Sequence, residues 1–68
     1  MDVDGWLVAA KLSKYTEAIK DYGYDSIEAL CVASEDEIRE MTEDADIGMK
    51  KPHRKLMLMK WRELSEGS

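Results

Sequence analysis

From His53 to Ser65 the chain contains neither glycine nor proline, and His53, Met57, Trp61 and Leu64 follow one another at steps of four, four and three residues. That spacing places the four side chains on one face of an α-helix. Pro52 stands just before it, in a first helical turn where its missing N–H is not needed. In a chain of 68 residues a terminal helix of this length leaves only short segments to cover it. Leu56, Leu58 and Met59 lie partly or wholly off the stripe, so either the helix is embedded on several sides, which is the preferred reading, or some of these apolar side chains stay exposed for a partner.

The remaining segments also read as helices. Leu12, Tyr15, Ile19 and Tyr22 are spaced by three, four and three, with Trp6 and Leu7 ahead of them. Asp4 is the expected cap of this segment, Gly23 its stop, and Ser13 the cap of a second piece if the segment bends. Asp25-Ser26 opens a short helix carrying Ile27, Leu30 and Cys31. Ser34-Glu35-Asp36-Glu37 has the capping-box pattern, followed by Ile38 and Met41 on the apolar side. Thr42 to Asp46 reads as a further helical turn or an acidic loop. No strand-like alternation, internal repeat or low-complexity stretch interrupts this series. The expected fold is all-α: a compact five-helix bundle with a long C-terminal helix. Residues 3–65 form one domain in this reading, and residues 66–68 a flexible tail or vector-derived remnant.

A domain this small buries only about 60% of the surface its unfolded chain exposes, which leaves little room for an enclosed substrate cavity beside the core. Binding is therefore favoured over catalysis. No nucleophile–base pair, phosphate loop or metal set is visible, and neither a cofactor nor a metal is expected. His53 has no second histidine and no cysteine at ligand spacing, so it reads as a packed side chain. Asp44-x-Asp46 resembles part of a calcium loop, but the twelfth position from Asp44 is Lys55, where a glutamate would be needed. The single Cys31 permits no internal disulfide and suits a reducing, cytoplasmic setting. Met1 to Asp4 lacks the features of a signal peptide, and no apolar run approaches membrane-spanning length.

Charge is sharply segregated. Between Asp25 and Asp46 lie Asp25, Glu28, Glu35, Asp36, Glu37, Glu40, Glu43, Asp44 and Asp46 against Arg39 alone. Between Ile47 and Leu64 lie Lys50, Lys51, Arg54, Lys55, Lys60 and Arg62 against Glu63 alone. Acids early in a helix complement its own dipole, which accounts for Glu35 to Glu37 without any partner. Cations at a helix N-terminus oppose the dipole, so Lys50, Lys51, Arg54 and Lys55 need another reason to be there. The overall charge of −5 disfavours nucleic acid as a partner.

Taken in order, these segments resemble the sterile alpha motif (SAM) domain. Trp6-Leu7, Leu12 and Tyr15 match the family's opening pattern, and Tyr22-Gly23-Tyr24-Asp25 matches an aromatic-Gly-aromatic-Asp stretch of many members. The short Ile27–Leu30 helix and the acidic Ser34–Met41 helix follow in the family's order. Ile47-Gly48 and His53-Arg54-Lys55 match its approach to the last helix. The similarity spans roughly residues 3 to 64, with two departures: Thr42–Asp46 is a few residues longer than usual, and Pro52 replaces a common glycine.

The resemblance implies a non-catalytic adaptor, part of a larger protein, that associates with itself or with another SAM domain. In such contacts a mid-domain surface of one copy meets the start of the last helix of the next. Glu35, Asp36, Glu40, Glu43, Asp44 and Asp46 would form the mid-loop surface; Lys50, Lys51, Arg54 and Lys55 would form the end-helix surface. The alternative within the family is RNA stem-loop binding through the same basic patch. The members that do so commonly carry a small residue where His53 stands. A helix-turn-helix DNA binder fits the helix count but not the acidic segment beside the basic one.

Overall fold

The computed structural model describes residues 2–67, and these form five α-helices and one 3-10 turn, with no strand among them. Helix α1 spans Val3–Ala9 and is capped by Asp2 rather than Asp4: the Asp2 carboxylate accepts from the Gly5 amide at 2.7 Å. Asp4 already lies inside the first turn, and its carboxylate pairs instead with Lys20 at 3.1 Å. That contact holds Lys20 above the usual lysine range, first through the hydrogen bond and then through the charge of Asp4.

The segment between Trp6 and Tyr22, which the sequence left as either continuous or bent, is broken after Ala9. Lys11 adopts φ 62°, the left-handed conformation. Its amide bonds the Val8 carbonyl at 3.0 Å, and the Leu12 amide bonds the Leu7 carbonyl at 2.8 Å. This pair of bonds closes a helix end, and the fully buried Leu7 and Leu12 supply the apolar contact that goes with it. A 3-10 turn, Ser13–Tyr15, then leads into α2, Thr16–Tyr22. Neither piece has a side-chain cap at its start; Ser13 contributes through its carbonyl, which accepts from the Thr16 hydroxyl at 2.7 Å. Gly23, at φ 133°, ends α2 as its position in the sequence suggests.

Helix α3, Ile27–Val32, is capped by Ser26, whose hydroxyl accepts from the Ala29 amide at 3.1 Å. Helix α4, Glu35–Thr42, carries the capping box in full. The Glu37 amide donates to the Ser34 hydroxyl at 3.2 Å, and the Ser34 amide donates to the Glu37 carboxylate at 2.9 Å. Residues 43–50 form a loop of turns rather than another helix. The Asp46 amide bonds the Asp44 carboxylate at 2.8 Å, and the Gly48 amide bonds the Asp44 carbonyl at 3.1 Å with Gly48 at φ 62°. Helix α5, Lys51–Glu66, is 16 residues long, about 24 Å at 1.5 Å per residue, with Pro52 in its first turn. The molecule as a whole measures 29 × 21 × 20 Å. Of the expected tail, Glu66 is helical and the Gly67 amide bonds the Glu63 carbonyl, while Ser68 lies outside the described residues.

The core gathers side chains from every helix: Leu7 from α1, Ile19 from α2, Leu30 from α3, Ile38 and Met41 from α4, and Met57 from α5 are all fully buried. Burying each such side chain is worth about 1.5–3 kcal/mol, so no one helix stands without the others. Trp61 adds a directional bond. Its indole N–H donates to the Leu30 carbonyl at 2.7 Å in the interior, satisfying an acceptor in the last turns of α3. Leu56 and Leu58 are half-buried against the core, as an embedded helix requires, whereas Met59 is 48% exposed.

Candidate protein-binding surfaces

The basic cluster occupies the first turn and a half of α5. Lys50 is the residue before the first turn, Lys51 begins it, and no side chain caps it; no acidic residue lies in that turn. Among the described residues, none of Lys50, Lys51, Arg54 and Lys55 makes an ion pair. Arg54 also has its Nε buried without a hydrogen-bond partner. A cation in this first turn costs about 0.3–1 kcal/mol, an effect that fades by Lys55. The arrangement therefore runs against the local helix dipole, and among the described residues no ion pair offsets it.

This helix start is fixed to the core by Tyr15, which the sequence placed on the helical spacing of the first segment. The buried Tyr15 hydroxyl accepts from the Lys50 amide at 3.4 Å and shares a hydrogen bond with His53 Nδ1 at 2.5 Å. The two rings meet edge to face at 5.4 Å. His53 is thus a half-buried packed side chain that helps hold the basic turn in place. A buried phenol needs a polar partner, which is the one sequence signal that Tyr15 does more than pack.

The six acids assigned to the mid-loop surface separate into three places. Glu35, at the start of α4, accepts from Arg62 of α5 at 2.8 Å and from Arg39 at 3.0 Å. The Arg62 hydrogen bond, followed by the charges of Arg62 and Arg39, holds the Glu35 carboxyl below the usual carboxylate range. Asp36 beside it is 94% exposed, with a loose contact to Arg39 at 3.9 Å. Glu40 is exposed further along α4 and makes no ion pair.

Asp44 and Asp46 stand elsewhere. Together with Asp21, Tyr22, Ala18 and Ile47 they line a cleft of about 480 Å³ between α2 and the 43–50 loop. The lining has three carboxylates and no cation. Asp21 was not among the sequence candidates, because its position near the end of α2 gives no hint that the loop folds back onto it. Tyr22 is 40% exposed here, and its ring stacks on Tyr24 at 5.8 Å. Partial burial, and then the charge of Glu37, push the Tyr24 phenol above its ordinary pKa.

Glu43 occupies the third place, and it faces the basic cluster. A groove of about 220 Å³ between α4 and α5 is lined by Arg39, Thr42 and Glu43 on one side and by Lys51, Arg54, Lys55 and Leu58 on the other. A third hollow, about 410 Å³, lies between α1 and the end of α5 against Trp6 and Leu64. Among the described residues no group of His, Cys, Asp and Glu is arranged to hold a metal. No described helix is long and apolar enough to cross a membrane.

A small all-helical bundle with a long last helix and a charged surface at that helix's start defines a class of interaction domain. The family described as SAM domain (Sterile alpha motif) matches residues 1–65, and the chain belongs to that family. Its members are in general protein-interaction modules that mediate protein–protein association and are typically non-catalytic. Neither a curated protein nor a solved structure matches the chain.

Proposed function

We propose that this domain joins protein partners head to tail, with the basic start of α5 on one copy meeting the acidic cleft of Asp21, Asp44 and Asp46 on the next. The observation that carries the reading is the uncapped start of α5, where Lys50, Lys51, Arg54 and Lys55 make no ion pair among the described residues. A charge set held at a cost in stability is accounted for by a partner that repays it. Complementary surfaces steer encounter and fix orientation more than they add raw affinity. Because the two surfaces differ, their contact is heterologous and repeats into open chains unless the rotation closes a ring.

The acidic side of this contact is narrower than the full acidic segment. Glu35 is occupied by Arg62 and Arg39, so it serves the fold. Asp44 and Asp46 remain without an ion pair among the described residues. The role is that of an adaptor or scaffold in a reducing, cytoplasmic setting, consistent with the lone free Cys31.

Sedimentation velocity over a range of protein concentrations, at low and high salt, tests the reading. The sedimentation coefficient should rise with concentration and fall back as salt screens the contact. Lys51→Glu should remove the rise. A wild-type chain that stays monomeric at millimolar concentration and low salt would contradict the homotypic form.

A further inference from the structure

Glu43 belongs by sequence to the acidic segment but by position to the basic side. It lines the α4–α5 groove together with Lys51, Arg54 and Lys55, and it makes no ion pair with any of them. We infer that Glu43 opposes the entry of an acidic partner segment into this groove. The inference rests on the reading of the α5 start as a binding surface. It extends that surface onto α4 and reverses the role of one acid.

Three observations support it. First, the groove collects cations from two helices, since Arg39 joins the three from α5. Arg39 is shared with Glu35 and Asp36, so the uncompensated charge is on the α5 side. Second, Arg54 makes no ion pair among the described residues and its buried Nε has no hydrogen-bond partner, so no carboxylate of the domain pairs with its charge. A carboxylate presented to that guanidinium forms a charge-assisted bond of the strong kind. Third, the volume of about 220 Å³ suits one or two side chains, and Leu58 gives their methylenes an apolar wall. A glutamate-bearing segment has both parts, a carboxylate for the cations and a short stem for Leu58.

Within this groove Glu43 is a fixed like charge for any acidic ligand. It lowers the local positive potential and weakens binding, so that only a segment with several carboxylates is held well. Removing its charge should therefore strengthen binding. A residue on the acidic acceptor surface would behave in the opposite way when neutralised.

The experiment is an isothermal titration of the domain with a hexaglutamate peptide at low salt, using wild type, Glu43→Gln and Glu40→Gln. Glu40 is exposed on α4, three residues before Glu43 but outside the groove, which controls for net charge. Glu43→Gln should tighten binding on the order of three- to ten-fold, as expected for deleting one nearby like charge, and Glu40→Gln should change it by less than about two-fold. Unchanged or weaker binding by Glu43→Gln, an equal gain in Glu40→Gln, or no binding by any of the three would overturn the inference. Tighter binding of an RNA stem-loop than of the peptide would overturn the choice of occupant. A wild-type chain that binds the peptide yet stays monomeric keeps the groove and removes head-to-tail self-association; self-association without peptide binding does the reverse.

Discussion

Lys11 shows how one residue can decide a boundary that its own chemistry does not announce. A helix end in the left-handed conformation is usually supplied by glycine, and a lysine there carries a β-carbon clash worth about 1–2 kcal/mol. Leu7 and Leu12 force the break, because both are fully buried only if the chain turns between them. Lys11→Gly should raise stability by about 0.5–1 kcal/mol, once the greater freedom of glycine in the unfolded chain is subtracted. Urea denaturation reads this directly. Trp61 is the opposite case, a residue whose loss leaves something unsatisfied. Trp61→Phe keeps most of the apolar surface but strands the buried Leu30 carbonyl, and should cost about 1–3 kcal/mol by the same assay. Of these two, only Trp61 was legible as a core residue, from its place on the helical stripe. Its hydrogen bond spans 31 positions and leaves no local trace in the sequence.

At the scale of the element, helix starts were the most legible feature. The Ser34–Glu37 capping box is written within four residues, and both bonds form. The cap of α1 was misplaced by two positions because Asp2 and Asp4 are chemically identical candidates, and only the backbone selects between them. The start of α5 differs from both, since it has no cap and carries cations. Lys51→Glu places a favourable charge at that positive end and should stabilise the domain by about 0.3–1 kcal/mol while abolishing association. Opposite changes in stability and binding would separate a functional lysine from a structural one. Helices α4 and α5 are also tied by Glu35 and Arg62. Glu35 has its pKa depressed in the folded state, first by the Arg62 hydrogen bond. The resulting stabilisation is fully present above the unfolded-state pKa and is lost as pH falls through the folded one. Glu35→Gln should therefore flatten the acid limb of stability against pH, and added salt should shrink the difference, because the pair is partly exposed.

For the whole molecule, the segregation of charge along the chain becomes a segregation in space, but not a simple one. The sequence showed one acidic block and one basic block. Folding divides the acidic block: Glu35 is consumed by Arg62 and Arg39, Glu43 turns toward the basic groove, and Asp44 and Asp46 gather with Asp21. The Glu35–Arg39 pair is local to α4, but the contacts of Glu35 with Arg62, of Glu43 with the basic groove and of Asp44 and Asp46 with Asp21 depend on how α2, α4 and α5 pack. Of the basic block, Lys50, Lys51, Arg54 and Lys55 stay together at the start of α5, whereas Lys60 pairs with Glu63 and Arg62 with Glu35. The most direct test of head-to-tail association is sedimentation velocity on Lys51→Glu and Asp46→Lys, each alone and then mixed. Asp46 is preferred to Asp44 for this purpose because the Asp44 carboxylate holds the loop through the Asp46 amide. Each variant alone should be monomeric. The equimolar mixture should give a heterodimer that grows no further, since one intact surface of each kind remains. A mixture that stays monomeric, or a single variant that still forms chains, would contradict the account.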